Sequence, residues 1–213
     1  MATEYASANM QAPSHRRARV GNVRWAIAVL LGVGVLINYF DRINISVATE
    51  PLETSFHLTT GEMGVIPSSF LWPYALLQIP IGALLDKIGV KWLIRVGTIL
   101  WTIATLATAI VSGLGLFLLA RIVLGVAEAP AFPGASKATG YWFPRGERGR
   151  ATSAFDAGAK FSNVIGVPIV ALAVTQWGWR GGFWVTGALS ALYALAFWIW
   201  YRNPREALRA GRL

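Results

Sequence analysis

The chain has no cysteine, two histidines and only ten acidic residues against nineteen lysines and arginines in 213 residues. Each shortage excludes something. Without thiols there is neither a disulfide framework nor a thiolate metal site. His15 and His57 both fall outside the apolar stretches, no G-x-S-x-G sequence occurs, and carboxylates are not clustered. An intramembrane hydrolase therefore lacks its nucleophile and base, and a metal carrier lacks its ligands. Neither a cofactor nor catalysis is expected. Charged residues make up 14% of the chain while apolar residues reach 55%, with 22 glycines and ten tryptophans. That is not the balance of a soluble domain.

What is present are long apolar runs. A helix needs about 20 mostly apolar residues to cross a bilayer, because hydrocarbon offers no partner to an unpaired backbone amide. The sequence predicts an all-α membrane protein with a bundle over residues 23–203. Its six transmembrane helices are expected at about 25–48, 62–85, 92–111, 114–136, 152–176 and 181–201. The turn "VSGLG" at 111–115 separates the third from the fourth. Residues 1–22 are polar and lack a cleavable apolar core, so they are expected to be a disordered cytoplasmic tail, with a second cytoplasmic tail over 204–213.

Charge placement sets the count of spans. The cations fall in four groups: Arg16, Arg17, Arg19 and Arg24; Lys87, Lys91 and Arg95; Lys137, Arg145, Arg148 and Arg150; and the arginines after Trp200. By contrast, residues 49–62 carry three glutamates and no lysine or arginine. Six spans put every cation-rich segment on one side, as the positive-inside rule requires, with both termini cytoplasmic. Topology accounts for most of the net charge of +9, so a nucleic-acid surface is not needed.

Six charges are left within the apolar runs: Asp41, Arg42, Arg121, Glu128, Asp156 and Lys160. Each costs at least about 2.5 to 3.5 kcal/mol at a helix centre, so they are expected to face one another or a wet cavity. Asp41 and Arg121 each lie about seven residues from the outer end of their helix, roughly 10 Å deep at 1.5 Å per residue. Arg121 and Glu128 return to nearly one face with Gly125 between them, and Asn38, Asp41 and Arg42 are expected to share a face of the first helix. Tyr74 and Gln78 add a polar pair at mid-membrane. Converging, these faces line a central polar chamber. The bland alternative is static: Asp41/Arg121 and Arg42/Glu128 as ion pairs locking two helices, Asp156/Lys160 as an i, i+4 pair, Tyr74 and Gln78 as packing contacts.

A further stretch, "GALLDKIGVKW" at 82–92, lies on the turn between the second and third helices. Gly82 is expected to permit close helix approach, Asp86 to cap the third helix or pair with a neighbouring segment, and Gly89 to allow a tight turn, with Lys87 and Lys91 completing a gate motif.

This stretch resembles the G-x-x-x-D-[RK]-x-G signature of the major facilitator superfamily, with Val90 where a second basic residue is often found. "NYFDRINISVA", "ARIVLGVAEAPAFPGASKATGYWFPRGERGRA", "GWRGGF" and "YRNPRE", in that order over residues 24–206, resemble its anion:cation symporter branch. The resemblance implies two inverted three-helix repeats forming the N-terminal half of a twelve-helix transporter in a bacterial inner membrane. It implies proton-coupled uptake of an organic anion, a sugar acid or other carboxylate, by alternating access. Carried over by position, Arg42 and Tyr39 are substrate contacts, with Tyr74, Gln78 and Lys160 as further candidates. Asp41 and Glu128 are the protonatable acids, and Arg121 tunes Glu128. The chain is expected to be a half-length or truncated form whose partners are a small organic anion, protons, lipid and a second six-helix half. The competing class is a non-transporting membrane sensor or assembly subunit, or an inactive fragment, which buried ion pairs suit equally well.

Overall fold

The computed structural model describes residues 23–204. Most of the two expected tails therefore lies outside the described residues. The architecture is all-helical, and no strand occurs among the described residues. Its elements are α1 (Val23–Val47), α2 (Thr49–Phe56), α3 (Thr60–Met63), α4 (Val65–Ile88), α5 (Val90–Ile110), α6 (Leu114–Glu128), α7 (Ala131–Trp142), a 3-10 turn at Arg145–Glu147, and α8 (Arg148–Trp200). Five helical stretches are long and apolar enough to cross a membrane, with α3–α4 and α6–α7 each counting as one and α8 counting once.

The 53-residue α8 is not one rod. Gly178 inside it has φ 70° and ψ −178°, which only glycine adopts readily, and the chain turns there. Contacts with α1 show the reversal. Before the break, Gly32 lies against Ala154 and Phe155, and Phe40 and Ile43 lie against Gly166, so this segment runs parallel to α1. After it, Asn44 meets Gly182 and Gly34 meets Tyr193, so the second segment runs antiparallel. The glycines at these crossings are functional in packing: a Cβ on Gly158 would strike the backbone of Gly32.

Local rules explain the other boundaries. Thr59 and Glu62 form a capping box that starts α3, with the Thr59 amide donating to Glu62 Oε2 at 2.9 Å. Gly89 stops α4 and starts α5 at φ 89°, the tight turn expected of it. Gly82, however, has nothing within 4 Å of where its Cβ would be, so it mediates no close helix approach. Asp86 does not cap α5, whose N-cap Gly89 has no side-chain bond; it pairs instead with Lys137 on α7.

Three elements depart from the expected spans. The stretch between the first two expected spans contains α2, which folds Leu52 and Phe56 onto an aromatic cluster of Phe117, Trp179 and Phe183. The helix expected to end at 136 continues to Trp142, reorganised near Pro130, where proline cannot donate to the helix ladder. The helix expected from 152 begins at Arg148.

Within the bundle, α1 is the spine, packed on both segments of α8, while α5 packs on α6 and α8, and α4 on α6. Gly125 lets α6 press against α4, where a Cβ would meet the Phe70 carbonyl and Pro73. Helix α4 is the most open, burying only Ile66, Phe70, Tyr74 and Leu85 along one stripe at helical spacing.

Candidate functional site

Adjacent residues of α1 point to different neighbours. Asp41 is fully buried and accepts hydrogen bonds from Trp101 Nε1, from Thr105 Oγ1 at 3.2 Å and from Thr186 Oγ1 at 3.3 Å. The Thr186 hydroxyl in turn accepts from Asn44 Nδ2 at 2.6 Å. A hydroxyl has one proton to give and lone pairs to receive, so Thr186 relays Asn44 to Asp41. This carboxyl is thus held by neutral donors from α5 and the second segment of α8. It is not ion-paired with Arg121, and it does not share Arg42's surroundings.

Arg42 turns towards α4. Its guanidinium carbon lies 4.7 Å from the ring centroid of Tyr39, 5.2 Å from Phe70 and 4.8 Å from Tyr74, with Phe70 and Tyr74 stacked at 5.4 Å. Its Nη2 also makes a weak polar contact with Asn38 Oδ1 at 3.4 Å, and its Nε has no partner. Three aromatic faces stabilise a cation through their quadrupoles without neutralising its charge.

Arg121 shares Phe70, its guanidinium 5.1 Å from the ring centroid. It is 1% exposed, with Nε and Nη1 unpartnered, and Glu128 is 1% exposed with both carboxyl oxygens unpartnered. Neither expected pair, Asp41/Arg121 or Arg42/Glu128, closes to ion-pair distance; the ion pairs formed among the described residues are Arg24–Glu147 at 3.0 Å and Lys137–Asp86. Unsatisfied buried charges cost several kcal/mol each unless something answers them. A half-open recess of about 230 Å³ lies at this point, lined by Arg42, Ile45, Ser46, Pro67, Phe70, Leu71 and Arg121. Two guanidiniums and no carboxylate face it.

The remaining candidates separate. Tyr74 is buried beside Arg42; Gln78 is half-buried one turn further along α4. Lys160 and Asp156 are both exposed, form no ion pair with each other, and do not line the recess. At the far end, Lys87 is exposed and Lys91 lies 5.8 Å from the Trp92 ring centroid. The residues that sequence reasoning missed are Phe70, which both arginines share, and the shell of Asp41: Trp101, Thr105, Thr186 and Asn44. A signal for part of that shell was available. Thr98, Trp101, Thr102, Thr105 and Thr108 repeat at helical spacing along α5, a polar stripe on an otherwise apolar span.

A family model described as Major Facilitator Superfamily matches residues 31–212. The chain is 45% identical over 197 residues to an uncharacterized transporter, YybO, of Bacillus subtilis, covering 92% of this chain and 45% of that protein. It is 32% identical over 188 residues to a D-galactonate transporter of Escherichia coli O6:H1, covering 88% of this chain and 44% of the relative. Its fold matches the crystal structure of a bacterial homologue of the human lysosomal transporter Spinster in an inward-facing, unoccupied conformation. That match has a TM-score of 0.75 at 23% identity over 85% of this chain and 44% of the other. The chain spans a little under half the length of these proteins.

Proposed function

The chain belongs to the Major Facilitator Superfamily, and on that premise we propose that it forms the anion-binding wall of a proton-coupled transporter for sugar acids or related carboxylates. It is an integral, multi-pass membrane protein of a transporter family, not an enzyme. The observation that carries the reading is the cation pair at the recess: Arg42 in its aromatic box and Arg121 beside it, with no acid within ion-pair distance of either. Arginine stays protonated and offers a planar fork matched to a carboxylate. A sugar acid supplies that carboxylate, and its hydroxyls suit the polar edges of Tyr39, Tyr74 and Gln78. The D-galactonate relative supports the substrate class.

In this reading Glu128 and Asp41 are the protonatable groups, and they have unequal roles. Glu128 is buried within the fields of both Arg42 and Arg121, so an anion arriving between the arginines offsets their charge there and favours its protonation. Asp41 is separated from the recess and held by donors on two other helices. Lys160 is left outside the binding group, and the segment around Asp86, Lys137 and Gly89 serves as the gate.

The break at Gly178 supports six spans, and with the family fold we read them as two inverted three-helix repeats; the sidedness of lysine and arginine puts both termini in the cytoplasm, and the bacterial relatives suggest a bacterial inner membrane. Alternating access between two such halves needs an opposing wall. A second six-helix half is the proposed partner.

The test is binding by the purified full chain. Calorimetric titration is expected to show saturable binding of D-galactonate, loss of it in Arg42→Ala, and no binding of neutral galactose. A pH indicator in weakly buffered solution is expected to report proton uptake on binding, abolished in Glu128→Gln while binding persists. Equal binding of galactose, or an Arg42→Ala variant that binds galactonate normally, overturns the anion reading. Binding without proton uptake overturns the coupling.

A further inference from the structure

Glu128 borders a cavity that is distinct from the recess of the arginines. Where α1, α5, the α6–α7 junction and the second segment of α8 meet, they leave a half-enclosed space of about 20 Å³. Its wall includes Gly34, Ile94, Thr98, Trp101, Glu128 and Tyr193. None of these lines the recess. Ile94 lies within the first turns of α5, so the cavity extends from Glu128 towards the end of the bundle that carries Gly89.

A water needs about 10 to 15 Å³ of such space and two to four polar partners. The volume holds one. Three buried side chains of the wall bring polar groups to it: the Glu128 carboxyl, the Thr98 hydroxyl and the Tyr193 hydroxyl. Gly34 makes room for the last of these, since a Cβ there would collide with the phenol oxygen of Tyr193. Their capacities differ in a way that fits water. Thr98 Oγ1 gives its single proton to the Arg95 carbonyl at 3.0 Å, so towards the cavity it can only accept. The Tyr193 hydroxyl can donate or accept. Trp101 has committed its N–H to Asp41 and closes the wall between the two acids.

We infer that this cavity binds one structural water, hydrogen-bonded to Glu128, Thr98 and Tyr193, an inference that rests on Glu128 being the protonatable group proposed above. When Glu128 is ionised, the water donates one proton to the carboxylate and one to Thr98, and accepts from Tyr193. When Glu128 is protonated, the water accepts from its O–H, still donates to Thr98, and donates to Tyr193, whose hydroxyl has turned. The same three contacts serve both charge states. Only hydrogens reorient. Glu128 also feels Asp41 and Arg42 from α1 and Arg121 from its own helix, and Tyr74 of α4 lies in its field, while α5 presents Thr98 and Trp101 and α8 presents Tyr193. Thr98 and Tyr193 are therefore positioning residues: they hold the water, and the water serves the acid from a side that the anion does not occupy.

The experiment is infrared difference spectroscopy of the full chain in lipid bilayers, driven by a change of pH with no anion ligand added, so that anion binding plays no part in it. The Glu128 carboxyl stretch is assigned by its loss in Glu128→Gln. Exchange into heavy-oxygen water is expected to shift a water O–H stretch in the same difference spectrum. Thr98→Val and Tyr193→Phe are each expected to remove that water band and to raise the frequency of the Glu128 carboxyl stretch, as weaker hydrogen bonding to the acid does. Should either fail to fold, Val35→Ile adds a methylene to the cavity wall without removing a polar group, and is expected to expel the water with the same two changes. A Glu128 band without a heavy-oxygen-sensitive water band overturns the inference alone, by making the cavity dry. So does a water band that persists unchanged in the folded variants. Absence of a Glu128 carboxyl band at every pH overturns the inference together with the protonatable role of Glu128.

Discussion

Trp101 on α5 donates its indole N–H to the carboxyl of Asp41 on α1, sixty residues away in the chain. The bond ties a buried acid to the threonine-lined stripe of α5. It also explains why neighbours in sequence, Asp41 and Arg42, do different things: one is fixed towards α5 and α8, the other opens towards α4.

Removing the Trp101 donor leaves Asp41 short of one partner in a site that excludes water. Trp101→Phe is expected to cost about 1 to 3 kcal/mol in thermal unfolding of the detergent-solubilised chain. Combined with Asp41→Asn the two losses are expected to be non-additive by at least about 0.5 kcal/mol, since both remove the same bond. Strict additivity sinks the assignment.

Arg42 is boxed by three rings, so charge alone does not reproduce it. Arg42→Lys keeps the cation but loses the planar stack and the fork, and about tenfold weaker galactonate binding is expected, between native and Arg42→Ala. A lysine variant that binds like the native chain means that point charge suffices.

The glycines separate into those that pack and those that do not. Gly125→Val is expected to destabilise by about 1 to 3 kcal/mol, because its side chain meets the Phe70 carbonyl and Pro73 where α6 crosses α4. Gly82→Ala meets nothing and is expected to gain about 0.5 to 1 kcal/mol from the lower backbone entropy of the unfolded chain. Thermal melts of the two variants side by side decide it; a destabilised Gly82→Ala restores the close approach that the turn motif predicted.

At Gly178 space is not the constraint. Nothing stands within 4 Å of an added Cβ, yet φ is 70° with an extended ψ. Gly178→Ala is expected to cost about 1 to 3 kcal/mol of backbone strain. A melt unchanged from native means the reversal does not depend on that conformation.

Much of the architecture was legible beforehand. Long apolar runs marked the membrane-length helices, because lipid penalises unpaired amides whatever the tertiary fold. Gly89 was legible as a turn residue. The short helix α2 was not, since its eight residues depend on burying Leu52 and Phe56 against Phe117 and Trp179, partners distant in sequence. Gly82 was misjudged for the same reason: a small residue permits close approach, but only a neighbouring helix realises it.

By itself, the sequence determined that this is a multi-pass helical membrane protein carrying costly charges within its apolar runs, since length, hydropathy and charge are properties of each segment alone. Only the tertiary structure decided which groups those charges answer. Helical spacing put Asn38, Asp41 and Arg42 on one face, but a face of α1 meets several helices at once, and a residue's partners depend on how each neighbour is rotated. That rotation gave Asp41 to Trp101, Thr105 and Thr186, and left Arg42 and Arg121 sharing Phe70 at an unneutralised recess.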